Sequence, residues 1–184
     1  MSVRALRRAG TGLSLSLLLA LATLAAGCGS GSGITPVRVR GVELPGWKAV
    51  SDEPGIGELA PDVSGLSLTR RADSPALVRD GDVVRTTRLE FGAAGDAGTA
   101  LARARASSFG SALEEAFRGE IAQRSASAAE VGYRLKVPRP AESGTDTVEL
   151  YVIRRDRTLA IVELVSARGF DPGLRDRILS LVNR

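Results

Sequence analysis

Apolar and polar side chains alternate most cleanly over Val131-Gly132-Tyr133-Arg134-Leu135-Lys136-Val137, a run that stops at Pro138. A period of two marks a strand with one buried face. Val37 to Leu44 alternates in the same way and ends at Pro45-Gly46, which predicts a second half-buried strand followed directly by Trp47. Leu66 to Arg70 reads as a short strand, Asp80-Gly81 as a turn and Val83 to Phe91 as a longer strand. Thr147 to Ile153 and Thr158 to Val165 carry β-formers on both faces and are joined by Arg154-Arg155-Asp156-Arg157. Strands apolar on both faces belong in the middle of a sheet, so these two predict a central hairpin.

The period changes at Asp96. Ala102, Ala106, Phe109, Leu113 and Phe117 recur at three- and four-residue spacing, with Glu114, Glu115 and Arg118 off that face. This predicts the main helix, with Asp96 as its N-cap, Gly119 as its stop and Gly110 as a weak point inside it. Leu174, Ile178, Leu181 and Val182 mark a terminal helix that Asp171 would cap and Pro172 would start. Between strand and strand, residues 51 to 65 hold Pro54, Gly55, Gly57, Pro61 and Gly65 without periodicity and read as a long loop. The order of elements is that of an α+β domain, an antiparallel sheet flanked by helices. No internal repeat is present.

The first residues follow different rules. Arg4, Arg7 and Arg8 precede an apolar stretch, Leu13 to Ala26, that is too short to span a bilayer and gives way at once to Gly-Ser-rich chain. This is the organisation of a secretory signal. It ends at Leu24-Ala25-Ala26-Gly27-Cys28, and Cys28 is the only cysteine. The segment resembles the lipobox of bacterial lipoproteins, with small Ala26 and Gly27 before the cysteine. Leu24 stands one place earlier than the leucine of that motif, and Ala25 takes its position. The resemblance implies a diacylglyceryl anchor on Cys28, two chains that hold a protein stably at a membrane; the plainer alternative is an ordinary thiol near an ordinary cleavage site. Residues 1–27 are then a signal peptide, 28–36 the lipidated cysteine and a Gly/Ser tether, and 37–184 the folded domain, extracytoplasmic and anchored to the cell membrane. Arg7-Arg8 also raises the twin-arginine route, without the apolar residue that usually follows it.

Removal of the leader changes the charge. The whole chain carries 25 basic and 21 acidic residues, but three of the basic ones, Arg4, Arg7 and Arg8, lie before Cys28 and none of the acidic ones does. The remainder is close to neutral, so charge gives no reason to expect a nucleic-acid partner. One domain is the expectation for the length that remains, stabilised by packing with no disulfide available.

Histidine is absent from the sequence. That removes Ser-His-Asp and Cys-His catalysis, His-containing zinc sites and the usual neutral-pH acid-base group. Ser-x-x-Lys fails at both Lys48 and Lys136. Gly55-Ile56-Gly57-Glu58-Leu59-Ala60 matches a dinucleotide fingerprint in letters only, since Pro54 and Pro61 occupy the places of the strand and helix it needs. Of the paired carboxylates, Asp52-Glu53, Asp80 with Asp82 and Glu114-Glu115, none has the spacing of a calcium loop or of two groups converging on one face. No catalytic residue, cofactor or metal site is therefore expected.

Two features invite a partner. Trp47, the sole tryptophan, is either a lid over the sheet core or a platform for a ligand. Arg70-Arg71 and Arg154-Arg155-Arg157 are either solvated or contacts for anionic headgroups. A strand ending in Pro45-Gly46-Trp47, a mid-chain helix, a strand with Tyr133, the hairpin from Glu149 to Val162 and an Asp171-led last helix together resemble the PsbP-like fold group, which includes actinobacterial surface lipoproteins. The resemblance implies an α/β/α sandwich and a non-enzymatic binding or accessory role in the cell envelope. The alternatives are a small-molecule or lipid carrier with a cavity between sheet and helix, and an Asp/Glu-dependent envelope hydrolase.

Overall fold

The runs of β-formers on either side of the arginine-rich turn fold back on one another as β9, Thr145–Arg155, and β10, Thr158–Ser166. They sit at the centre of an eight-stranded antiparallel sheet. The computed structural model describes residues 37–39, 42–44, 46–50, 60–139 and 144–182, all within one unit, Thr35–Arg184. On one side of the hairpin, β10 pairs with β6, Asp82–Phe91. β6 in turn holds β4, Leu68–Asp73, along its second half and β5, Ala76–Arg79, along its first. A short strand β3, Lys48–Val50, closes this edge beyond β5. On the other side, β9 pairs with β8, Glu130–Pro138, and β8 with the edge strand β7, Glu120–Ala126.

Helices cover both faces. β10 sends Leu159 and Ile161 to one side, where they meet Leu101 and Leu113. It sends Ala160, Val162 and Leu164 to the other, where they meet Ile178 and Val182. The first layer is α1, Ala94–Ala104, with α2, Ser107–Phe117; the second is α3, Pro172–Val182. This is the expected α+β architecture. α3 starts as the sequence predicts, with the Asp171 carboxylate accepting the Leu174 N–H at 2.7 Å and Pro172 as its first residue.

Several expectations are corrected. Val37 to Leu44 is two three-residue strands, β1, Val37–Val39, and β2, Val42–Leu44, that pair antiparallel with Val37 opposite Leu44. The main helix is two helices. Its buried stripe, Ala97, Ala100, Leu101 and Ala104, resumes at Phe109, Gly110 and Leu113, leaving Ala102 and Ala106 exposed. Tertiary bonds hold the break. The buried Tyr133 hydroxyl donates to the Ala104 carbonyl at 2.7 Å, and Arg124 donates to the Arg105 carbonyl. Carbonyls that a continuous helix would use internally are satisfied from the sheet.

Asp96 is not the N-cap, which is Ala93. Its carboxylate reaches back to accept the Ser67 N–H at 3.0 Å and the Ser67 hydroxyl, tying the loop before β4 to α1. These bonds hold its carboxyl below the usual carboxylate range. Gly119 does lie at the end of α2, but the left-handed residue is Arg118, at φ 49°. A glycine is needed at 119 for a different reason. A Cβ there would come within 2.8 Å of the Lys136 carbonyl oxygen. The loop from 51 to 65 falls mostly outside the described residues. Among the described residues no helix is long and apolar enough to cross a membrane.

Candidate functional site

α3 covers the centre of its face but stops short of β7 and most of β8, where it leaves a polar cleft of about 270 Å³. β7 contributes Gln123 and Ser125, β8 contributes Glu130, Gly132 and Arg134, β9 contributes Tyr151, and α3 supplies the wall with Arg175, Asp176 and Leu179. The alternation of β8 explains the floor: Val131, Tyr133 and Leu135 enter the core under α1 and α2, so Glu130, Gly132 and Arg134 face the other way.

Glu149 organises the cleft. Only 2% of its surface is exposed, although it stands in the central strand of the sheet. Arg134, its direct cross-strand partner, donates to Oε1 at 2.9 Å through both Nε and Nη2. The Tyr151 hydroxyl donates to Oε2 at 2.8 Å, and Arg175 brings Nη1 within 3.8 Å of the same oxygen. A buried carboxylate is tolerated only when paired and hydrogen-bonded in this way. Burial, and then the bond to Glu149, push the Tyr151 phenol well above its ordinary range. The ring of Tyr151 lies beside Gly132, its cross-strand neighbour, where a Cβ would come within 3.0 Å of it. Arg134 passes its remaining nitrogen to Gln123 Oε1 at 3.1 Å, and Arg175 Nε donates to Asp176 at 3.0 Å. Two guanidinium groups and a carboxylate are thus fixed before any ligand arrives.

The second buried carboxylate, Glu163, is 3% exposed and lies opposite both Arg85 and Leu150. Leu150 belongs to the core under α1, so Glu163 points away from Glu149 through the sheet. The two cannot flank one bond. Glu130 shares the face of Glu149 and stands four residues from its partner Arg134, about 13 Å between backbone positions along the strand. Among the described residues no three histidine, cysteine, aspartate or glutamate side chains gather as a metal would require.

The residues singled out in the sequence fall elsewhere. Cys28 lies outside the described residues, as do Asp52-Glu53 and all of the Gly55 to Ala60 fingerprint but its last residue. Trp47 is 1% exposed, packed on Phe170 with ring centroids 6.4 Å apart and covered by the Arg79 guanidinium at 5.0 Å. It is a core lid, which corrects the ligand-platform alternative: a ring so enclosed presents no face to a partner. Asp80, at φ 52°, and Gly81 form the turn between β5 and β6. Glu114 caps the following strand, its carboxylate accepting the Ile121 N–H at 3.0 Å, while Glu115 is exposed.

The two arginine clusters are brought to one end of the sheet. Arg70 is opposite Glu90, Glu90 is opposite Thr158, and Thr158 is opposite Arg155, a single row across four strands. Arg71 pairs with Asp73 at 3.0 Å, Arg154 lies over Gly98 of α1, and Arg157 is exposed in the turn. This end is opposite the one where β3 and β5 join, since Val83 pairs with Val165 there.

Sequence reasoning missed the cleft residues. The signal available was a glutamate, Glu149, inside a run of strand-formers and two residues from a tyrosine, which puts both on one face. No protein-family model matches this chain, and no curated protein or solved structure is significantly similar to it.

Proposed function

We propose that this chain is an extracytoplasmic lipoprotein, anchored through Cys28, whose PsbP-like domain is a non-enzymatic binding module of the cell envelope and takes its ligand in the cleft between α3 and β7–β9. The observation that carries the reading is the buried Glu149 with Arg134, Tyr151 and Arg175 arranged around it, a polar centre fixed in advance beside an open shelf of the sheet. Preorganised polar groups in a cleft are what a binding site needs and what a purely structural surface does not. The lipobox supports the anchor, and helices on both faces of an antiparallel sheet support the fold relationship. A lipid carrier has less support. Leu101, Leu113, Leu135, Leu150 and Leu159 fill the space between sheet and first helical layer, and the open cleft is polar.

Two experiments test this. Cys28→Ser, or globomycin treatment, is expected to release the protein from the membrane and leave its N-terminus without lipid; unchanged partitioning into detergent would overturn the anchor. A photo-crosslinking residue at Leu179, in the cleft wall, is expected to capture a reproducible envelope component that the same probe at exposed Ala112 on α2 does not. Equal capture from both positions, or none from either, would overturn the binding role of the cleft.

A further inference from the structure

Within the cleft one charged group is left over. Arg134 is committed to Glu149 and Gln123, and Arg175 lies between Glu149 and Asp176. Glu130, which opens β8, makes no ion pair and no side-chain hydrogen bond among the described residues, although it is half-buried. The lining holds two arginines and two carboxylates, Glu130 and Asp176; the arginines are taken up by Asp176 and by the buried Glu149 behind the lining, which leaves Glu130 as the carboxylate without a cation. Burial pushes its carboxyl above the usual carboxylate range, with no neighbouring cation to offset the cost.

We propose that the cleft seats the ammonium group of a small amine-bearing ligand between the Glu130 carboxylate, the Ser125 hydroxyl and the Tyr151 ring. This rests on the reading of the cleft as the ligand site. The register places all three around Gly132, which faces Ser125 on one side and Tyr151 on the other and follows Glu130 by two residues on the same face. Diagonal neighbours of this kind are within reach of a shared ligand. A carboxylate, a hydroxyl acceptor and the face of an aromatic ring are the groups that recognise an alkylammonium. An anion is disfavoured there by the unpaired Glu130 carboxylate, since both arginines already face carboxylates of their own. A metal ion would need further ligands, and no group of three gathers among the described residues. The cleft, at about 270 Å³, lies just below the ~300–1,000 Å³ usual for ligand sites, and it suits a lysine side chain or a free N-terminus of a short peptide.

The test uses the isotope-labelled full chain and two probes, a Gly-Lys-Gly peptide with both ends blocked and the same peptide acetylated on the lysine amine. The lysine peptide is expected to shift the amide resonances of Ser125, Glu130 and Gly132, and the acetylated one to leave them in place. Glu130→Gln, checked for a native spectrum, is expected to bind the lysine peptide at least about tenfold more weakly. Equal shifts from both peptides would overturn the ammonium assignment while leaving the cleft a ligand site. No cleft shift from either peptide at millimolar concentration would also overturn it, and the Leu179 crosslinks then decide separately whether the cleft binds anything else.

Discussion

The Tyr133 hydroxyl donates to the Ala104 carbonyl across 2.7 Å of buried space and ties the end of α1 to the middle of β8. The ring around that hydroxyl packs edge-on to Phe109 of α2, with centroids 5.9 Å apart, so one side chain supports both helices at their junction. Tyr133→Phe keeps the ring and removes the donor. It is expected to lower stability by about 1–2 kcal/mol in denaturant unfolding, because a buried carbonyl loses its partner. An unchanged midpoint would mean that the break between the helices does not depend on this bond.

Glu149→Gln removes a charge that Arg134 and Arg175 both approach. Loss of one partner from a buried charge cluster costs about 3–5 kcal/mol, and the cost should fall toward the lower figure here because Arg134 keeps 37% of its side-chain surface in water. By contrast Arg71→Ala, in an exposed pair with Asp73, should cost less than about 1 kcal/mol. Chemical denaturation of the two variants side by side checks the ordering.

Gly119→Ala places a methyl group 2.8 Å from the Lys136 carbonyl oxygen and 2.9 Å from Val137 Cγ2. Backbone cannot swing aside as a side chain can, so α2 and β8 must separate. A loss of about 1–3 kcal/mol is expected. Gly95→Ala, where a Cβ meets nothing within 4 Å, is the control and should be neutral or slightly stabilising, since it adds a helix former to α1.

Glu130 predicts a pH dependence of the opposite sign to that of most acidic groups. Its folded-state pKa is raised, so the folded protein holds the proton more tightly than the unfolded chain does. The penalty for keeping the carboxylate charged is present in full above the folded-state pKa and is relieved as pH falls through it. Glu130→Gln is therefore expected to be more stable than the parent at pH 7, with the difference shrinking as pH falls through the raised folded-state pKa toward the ordinary range of a glutamate carboxyl. Thermal unfolding across that range checks it; a variant less stable than the parent at neutral pH would contradict the electrostatic account.

Strand content was legible where one face or both were plainly apolar. β8, β9 and β10 stand where alternation or runs of β-formers put them, and Asp171-Pro172 announces α3 because a cap and a first-turn proline act locally. β7 gave no such signal. Glu120-Ile121-Ala122-Gln123-Arg124-Ser125-Ala126 is an edge strand with only Ile121 turned partly inward, so its pattern is that of a loop. The break between α1 and α2 was hidden for another reason. Ala102, Ala106, Phe109 and Leu113 keep helical spacing across it, and what interrupts the helix is hydrogen bonding from Tyr133 and Arg124, far away in the chain. The cleft was illegible because its charge depends on pairing. Arg134, Glu149 and Arg175 become a set only through the β8–β9 register and the docking of α3.

The sheet also fixes a distance. The ladder of β6 and β10 runs from Val83 opposite Val165, beside the strands that receive the N-terminal chain, to Glu90 opposite Thr158, beside the arginine-rich turn. Seven steps of antiparallel strand are about 24 Å long. The arginine-rich turn is therefore held a full strand length from the point where β3 joins the sheet, and the two ends of the ladder carry unlike chemistry.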